Sequence, residues 1–148
     1  MIKRLLCLCL TAIALSSTAF AEESDTLTLS FIGDCSMGEM YEAKGIAGSY
    51  TDVLDKNGFA YPFEYVRDIL TADDFTFANN EVVYTTRNAR ADKRVNLRAA
   101  PEYAQAWLQS GVDAVNTANN HAMDFLQKGY EDSLAALDAY GIRHFGTL

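Results

Sequence analysis

Residues 116–124 read NTANNHAMD, three asparagines and a histidine crowded between an apolar run and a helical pattern. Asparagine is poor inside strands and only moderate in helices, so its repeated use there needs a cause. Two other apolar runs end in the same polar style. SFIG is followed by Asp34, and DFTFA by Asn79, Asn80 and Glu81. Carboxylate and amide oxygens with an imidazole nitrogen suit a hard or borderline divalent ion such as Mn, Fe(II), Zn or Mg. Carboxylates from neighbouring strand ends can hold two such ions, clamp a phosphoryl group and activate a water, while a nearby histidine protonates the leaving oxygen. Each residue also has a plainer reading. Asp34 caps a turn, Glu81 faces solvent, His121 satisfies a carbonyl, and Asp124 is the N-cap of the last helix.

The elements that must position these groups follow from periodicity. TLTLSFIGD alternates Leu27, Leu29 and Phe31 against Thr28 and Ser30, which predicts a strand with that apolar face buried. Residues 35–50 read mostly as loop with one helical turn. Pro62 opens a helix with Phe63, Val66, Ile69 and Leu70 on one face. DFTFAN and VNLRA read as a second and third strand. Pro101 starts a helix through Tyr103, Ala104, Trp107 and Leu108 that Gly111 stops, and DAVNTA is a fourth strand. The last helix covers about Leu126 to Tyr140, with Tyr130, Leu134 and Leu137 inward, and IRHFGT begins one more strand. Strands alternating with helices predict an α/β fold with a mainly parallel sheet. In such sheets functional groups gather beyond the strand carboxyl ends, which puts Asp34, Asn79, Glu81, Asn119, Asn120 and His121 on one rim.

TTRNARADKRVNLR is basic in an acidic chain of net charge −8. A solvated loop is the default for Arg87, Arg90, Lys93, Arg94 and Arg98. The sharper reading is an anion-steering rim for a polycarboxylate or phosphate. The overall acidity disfavours nucleic acid and anionic membrane surfaces as partners. No G-x-S-x-G elbow, phosphate-binding P-loop or dinucleotide fingerprint occurs.

The first residues read as an export signal: basic Lys3-Arg4, apolar Leu5–Leu15, and Ala19-Phe20-Ala21 as the cleavage site. The expectation is a signal peptide over 1–21, a domain over 22–148, and a periplasmic or extracellular protein associated with the membrane only through partners. Cleavage removes Cys7 and Cys9, so Cys35 has no internal disulfide partner.

The same residues carry a family resemblance. SFIGDCSMG resembles the opening F-x-GD-x-x-x-G of the CapA (PGA_cap, poly-γ-glutamate) family of bacterial capsule synthesis proteins. DFTFANNEVV resembles its D-x-x-x-x-N-L-E element, and GVDAVNTANNHAMDF its G-x-D-x-x-x-x-ANNH-x-x-D. That family is similar to the calcineurin-like metallophosphoesterases, α/β/β/α sandwiches with a two-metal site. The resemblance implies Asp34, Glu81 and Asn120 as metal ligands and His121 as general acid, with Asn79, Asn119 and Asp124 in support. It also implies a divalent metal pair, and an anionic polymer or phosphate-containing substrate. The activity the resemblance implies is that of a hydrolase or transferase in capsule biosynthesis, or else a non-catalytic accessory role binding the anionic polymer or a membrane synthase. Two positions depart from the pattern: Asn80 replaces the Leu of N-L-E, and Leu126 stands where a Gly follows Asp124-Phe125. The family's further histidines, including a Gly-His-x-His element, are not found before Leu148. The segment therefore resembles the amino-terminal half of the domain, and the expectation is that alone it is catalytically inactive.

Overall fold

The computed structural model describes residues 26–146; the signal-peptide reading falls outside them. Four strands form a parallel sheet in the order β1–β3–β6–β7: β1 Leu29–Cys35, β3 Phe75–Asn80, β6 Ala114–Asn116 and β7 Arg143–Phe145. Three short strands make a second sheet in the order β2–β5–β4: β2 Glu39–Met40, β5 Leu97–Ala99 and β4 Val83–Tyr84. Here β2 runs antiparallel to β5, and β4 parallel to it. The VNLRA segment therefore belongs to a separate sheet and is not the third strand of a single one. The mainly parallel α/β reading holds, and the layout is consistent with part of a metallophosphoesterase-like sandwich.

Between β2 and β3 lie two helices, α1 Tyr50–Asn57 and α2 Arg67–Leu70. The first falls almost wholly beyond the 35–50 loop reading, in residues to which the sequence pattern assigns no element. It buries only Leu54 and depends on its ends: Ser49 Oγ accepts from Asp52 N, and Gly58 closes it at φ 87°. The helix expected from Pro62 is instead a 3₁₀ turn over Tyr61–Phe63 followed by the single turn of α2. Phe63 and Leu70 are buried, whereas Val66 and Ile69 face outward. The break at Val66 (φ −120°) rotates the face, so one 3.6-residue period does not run through the segment.

Pro101–Gln109 is wound as a 3₁₀ helix. Three residues per turn place Tyr103 with Ala106 and Ala104 with Trp107 on the inside, and turn Leu108 outward. An α-helical period would have grouped Leu108 with Ala104; the tighter winding leaves it exposed. Gly111 then ends the segment at φ 87°, where an added Cβ would lie 3.0 Å from Leu70 Cβ. The last helix, α3 Leu126–Ala139, buries Tyr130 and Leu137 as expected, with Leu134 half-buried. The core joins the fully buried Trp107, Tyr84, Leu137 and Val115 to Leu54, Phe63 and Leu70, and Trp107 Nε1 donates to Tyr84 Oη at 2.8 Å.

Among the described residues, the four-stranded sheet is covered on one face only. Thr76, Ala78, Asn80 and Val115 point into the core. On the opposite face Phe31, Phe75, Phe77 and Phe145 form a contiguous ring cluster, with Phe31 stacked on Phe77 at 5.0 Å. Leu27, Leu29 and Phe31 lie on this open side, Phe31 being 73% exposed. The expectation of a buried Leu27–Leu29–Phe31 face is thus overturned. Alternation identifies an apolar face without saying which layer covers it.

The two departures from the family pattern have structural consequences. Asn80 is buried; its Nδ2 donates to Val82 O at 3.0 Å, and its Oδ1 is buried without a hydrogen-bond partner among the described residues. Leu126 sits at φ 60°, a left-handed conformation costing an ordinary side chain about 1–2 kcal/mol and a glycine little. We expect Leu126→Gly to leave thermal stability unchanged or higher. Gln127→Gly, one residue on, should lower it by about 1 kcal/mol. Equal losses in both variants, read from melting curves, would contradict a strained Leu126.

Candidate functional site at the strand carboxyl ends

The parallel order brings the carboxyl ends of β1, β3 and β6 side by side, and their side chains are joined by hydrogen bonds. Asn79 is the hub. Its Nδ2 donates to Asp34 Oδ1 at 2.9 Å, while its Oδ1 accepts from Asn116 Nδ2 at 3.1 Å and Asn119 Nδ2 at 3.3 Å. Asn119 Nδ2 also reaches Asn80 O at 2.9 Å, and its Oδ1 accepts from the His121 amide at 2.9 Å. Glu81 Oε2 accepts from Ser36 Oγ at 3.2 Å, and the Glu81 amide donates to Cys35 O. Asp34 has φ 48°, a left-handed conformation that Asp tolerates better than most residues. Asn116 and Ser36 were not among the residues singled out from sequence. The parallel neighbouring of β1, β3 and β6 was the information needed to include them.

His121 and Asp124 form the second part of the site. His121 Nδ1 lies 2.8 Å from Asp124 Oδ2, and Asp124 is fully buried, 0% exposed. The same Oδ2 accepts from Leu97 N at 2.6 Å, and the Lys93 ammonium pairs with Oδ1. Main-chain Asp124 O accepts from Ala91 N at 2.9 Å and Asn96 Nδ2 at 3.3 Å. Asp124 is therefore not the N-cap of α3; the cap position is Phe125, with no side-chain cap bond. Its carboxylate is turned inward by partners that outcompete the exposed start of the helix. With Asp124 accepting at Nδ1, the proton of a neutral imidazole sits on Nδ1, and Nε2 is left to exchange one.

The basic residues are distributed among local partners. Arg87 grips Asp132 through Nε at 2.7 Å and Nη2 at 3.1 Å. Arg90 stacks over Tyr41 at 4.0 Å and lies 3.7 Å from Glu42. Arg98 is buried, donates to Arg87 O at 2.5 Å, and lies over the Tyr41 and Phe125 rings. Lys93 faces Asp124 and donates to Asn120 O at 3.0 Å. Arg94 and the Asn120 side chain are exposed.

The donor types at the rim suit a hard cation, and the local field has the right sign. Burial first, then the charges of Asp34 and Glu81, push the Cys35 thiol up to about 11. Asp34, Glu81 and Asn120 would be the holding residues, with the His121 ring beside them. Among the described residues, however, no three His, Cys, Asp or Glu side chains converge on one metal position. The rim's oxygen donors and negative charge are of the kind a divalent ion takes.

A parallel α/β sheet with carboxylates, amides and an imidazole at its strand ends is the architecture of a ligand-handling α/β protein. The particular family follows from comparison. The family model for bacterial capsule synthesis protein PGA_cap matches residues 28–148, so the chain belongs to that family. It is 33% identical over 112 residues to the PGA biosynthesis protein CapA of Bacillus subtilis (strain 168), covering 74% of this chain and 27% of the relative. It is 27% identical over 129 residues to the capsule biosynthesis protein CapA of Bacillus anthracis, covering 84% of this chain and 29% of the relative. The chain thus spans less than a third of the length of these curated relatives, and the resemblance read from its motifs is borne out.

The Arg87 clamp generates a pH prediction. Its hydrogen bonds, followed by that of Thr85, hold the Asp132 carboxyl below the ordinary value of 3.8. A depressed folded-state value stabilises above the unfolded one, and the gain is lost as pH falls through the folded one. Both side chains are partly exposed, so the contribution is at most about 1 kcal/mol. Arg87→Ala should be less stable than wild type at neutral pH by that amount, and the gap should close in acid. A gap that persists below about pH 2 would contradict the assignment.

Proposed function

We propose that Asp34, Glu81 and Asn120 contribute to a divalent-metal site, with His121 beside it as general acid. The site would serve hydrolysis or group transfer on a phosphate-bearing or amide-linked anionic polymer, in an exported protein of capsule or poly-γ-glutamate biosynthesis. The observation that carries this reading is the Asp124–His121 pair: a fully buried carboxylate, fixed by Leu97 N and Lys93, hydrogen-bonded to the imidazole at 2.8 Å. A buried carboxylate orienting a histidine beside an acidic rim fits general acid–base work better than core packing. When bound, a divalent ion supplies Lewis acidity and an acidified water.

The chain's own residues have separable tasks. Asn79, held by Asn116 and Asn119, orients the Asp34 carboxylate. Ser36 does the same for Glu81. Asp124 holds the His121 ring with Nδ1–H toward its carboxylate; in the imidazolium form the Nε2 proton passes to the leaving oxygen and the ring returns to the neutral Nδ1–H tautomer. A second reading, a non-catalytic accessory subunit binding the anionic polymer or a membrane synthase, is favoured by the incomplete set of converging metal donors among the described residues. Exposed Arg94 is then the cation that meets the polymer.

The test uses the full-length protein: bound metal by elemental analysis, and turnover of a generic phosphodiester. The enzyme reading predicts stoichiometric metal, with His121→Ala lowering kcat by about two orders of magnitude or more while retaining metal. Asp124→Asn should lower kcat and shift its pH profile. Absence of metal and turnover, together with polyglutamate binding that weakens in Arg94→Ala, supports the accessory role instead.

A further inference from the structure

A cavity of about 290 Å³, none of whose lining residues belongs to the Asp34–Glu81 rim, has walls that include Glu39, Lys44, Thr51, Thr86, Arg98, Ala100 and Tyr103. Its volume is at the lower edge of small-molecule pockets, which start near about 300 Å³. Glu39 is the unusual wall. It is only 8% exposed, and both of its hydrogen bonds fall on Oε2, from Thr51 N at 3.1 Å and Thr51 Oγ1 at 2.8 Å. Among the described residues, no ammonium or guanidinium lies within 4.0 Å of this carboxylate.

The missing pair is specific. Arg98 stands directly opposite Glu39 in the β2–β5 ladder, the cross-strand position where opposite charges ordinarily meet. Its guanidinium instead donates to Arg87 O and covers the Tyr41 and Phe125 rings. A carboxylate withdrawn from water without a cation is costly, and the cost is offset when a cation enters beside it. Glu102 adds a second carboxylate to the walls, while Lys44 and Arg98 add cations. Burial first, then the hydrogen bond to Asp55, with the charges of Asp55, Glu102 and Glu39 added, raise the Tyr103 phenol well above its usual range.

We propose that this cavity receives a primary ammonium group, carried by a molecule or chain end of amino-acid size, with Glu39 as its anionic partner. The ammonium donates to Glu39, the small Ala100 wall accommodates the carbon chain, and the Thr86 hydroxyl offers a further acceptor. Lys44 provides a counter-charge for any carboxylate the ligand carries. This site is separate from the strand-end rim and does not depend on the reading of that rim.

The test is a titration of the protein with n-butylamine, n-butanol, potassium chloride and L-alanine, followed by amide chemical shifts. Butylamine should shift residues 39, 51, 100 and 103 saturably, with butanol and potassium at the same concentrations doing neither. Saturable binding of L-alanine assigns the ammonium to an amino acid; binding of butylamine alone assigns it to a simple amine, and both support the site. Glu39→Gln, which keeps an acceptor for Thr51, should weaken butylamine binding about tenfold or more. Ala100→Leu, which fills the cavity and leaves Glu39 in place, should abolish it. Absence of butylamine binding overturns the proposal, as does equal binding of butanol or potassium. So does undiminished affinity in Glu39→Gln or, should that variant unfold, in Ala100→Leu.

Discussion

The Asp124 carboxylate organises this molecule. A carboxylate with no exposed surface must be met by partners, and here these come from three separate stretches: the Lys93 ammonium as an ion pair, and the Leu97 amide and His121 as hydrogen bonds. Its main-chain oxygen collects two more, from Ala91 and Asn96. The basic loop, the start of β5 and the asparagine-rich turn are tied together through this one residue. Remove the carboxylate and the loops lose their common anchor, while the Lys93 ammonium loses its partner. The imidazole beside it inherits a fixed orientation from that arrangement, which is what separates a positioned proton carrier from a polar turn residue.

A second constraint is the parallel order β1–β3–β6. Parallel neighbours align their carboxyl ends, so residues far apart in sequence become adjacent at one rim: Asp34 meets Asn79 across 45 positions and Asn79 meets Asn116 across 37. The asparagines act as spacers with both a donor and an acceptor. They connect the carboxylate strand to the histidine turn without adding charge. Placing Asp34 and Glu81 together makes the rim negative, a field that suits a cation and that the neighbouring basic loop does not cancel. Most of that loop's charge is engaged locally, with Asp132, Glu42, Asp124 and aromatic rings.

The polar strand ends were legible in the sequence because they break two local rules at once. Asparagine clusters where strands should stop, and each cluster follows an apolar run. The parallel sheet was legible from the alternation of strand and helix patterns. The side of that sheet that is buried was not. Leu27, Leu29 and Phe31 alternate as a core face does, yet they belong to the uncovered side. Helix type was equally out of reach around Pro101–Gln109, where three-residue winding selects a different inward set from the same apolar residues. Helix α1 and strands β2 and β4 escaped notice because each is short and owes its existence to capping or pairing partners elsewhere. Asp124 was visible as a site residue, but its alternative role as a cap could be excluded only by its burial.

The claim on which the functional reading stands is that Asp124 holds His121 in one tautomer. Nitrogen-15 shifts of the His121 ring in the labelled protein, at a pH where the imidazole is neutral, measure this directly. The account predicts a protonated Nδ1 and an unprotonated Nε2, with the preference lost in Asp124→Ala. A ring protonated on Nε2, or one that averages freely between the two forms in the intact protein, would contradict it.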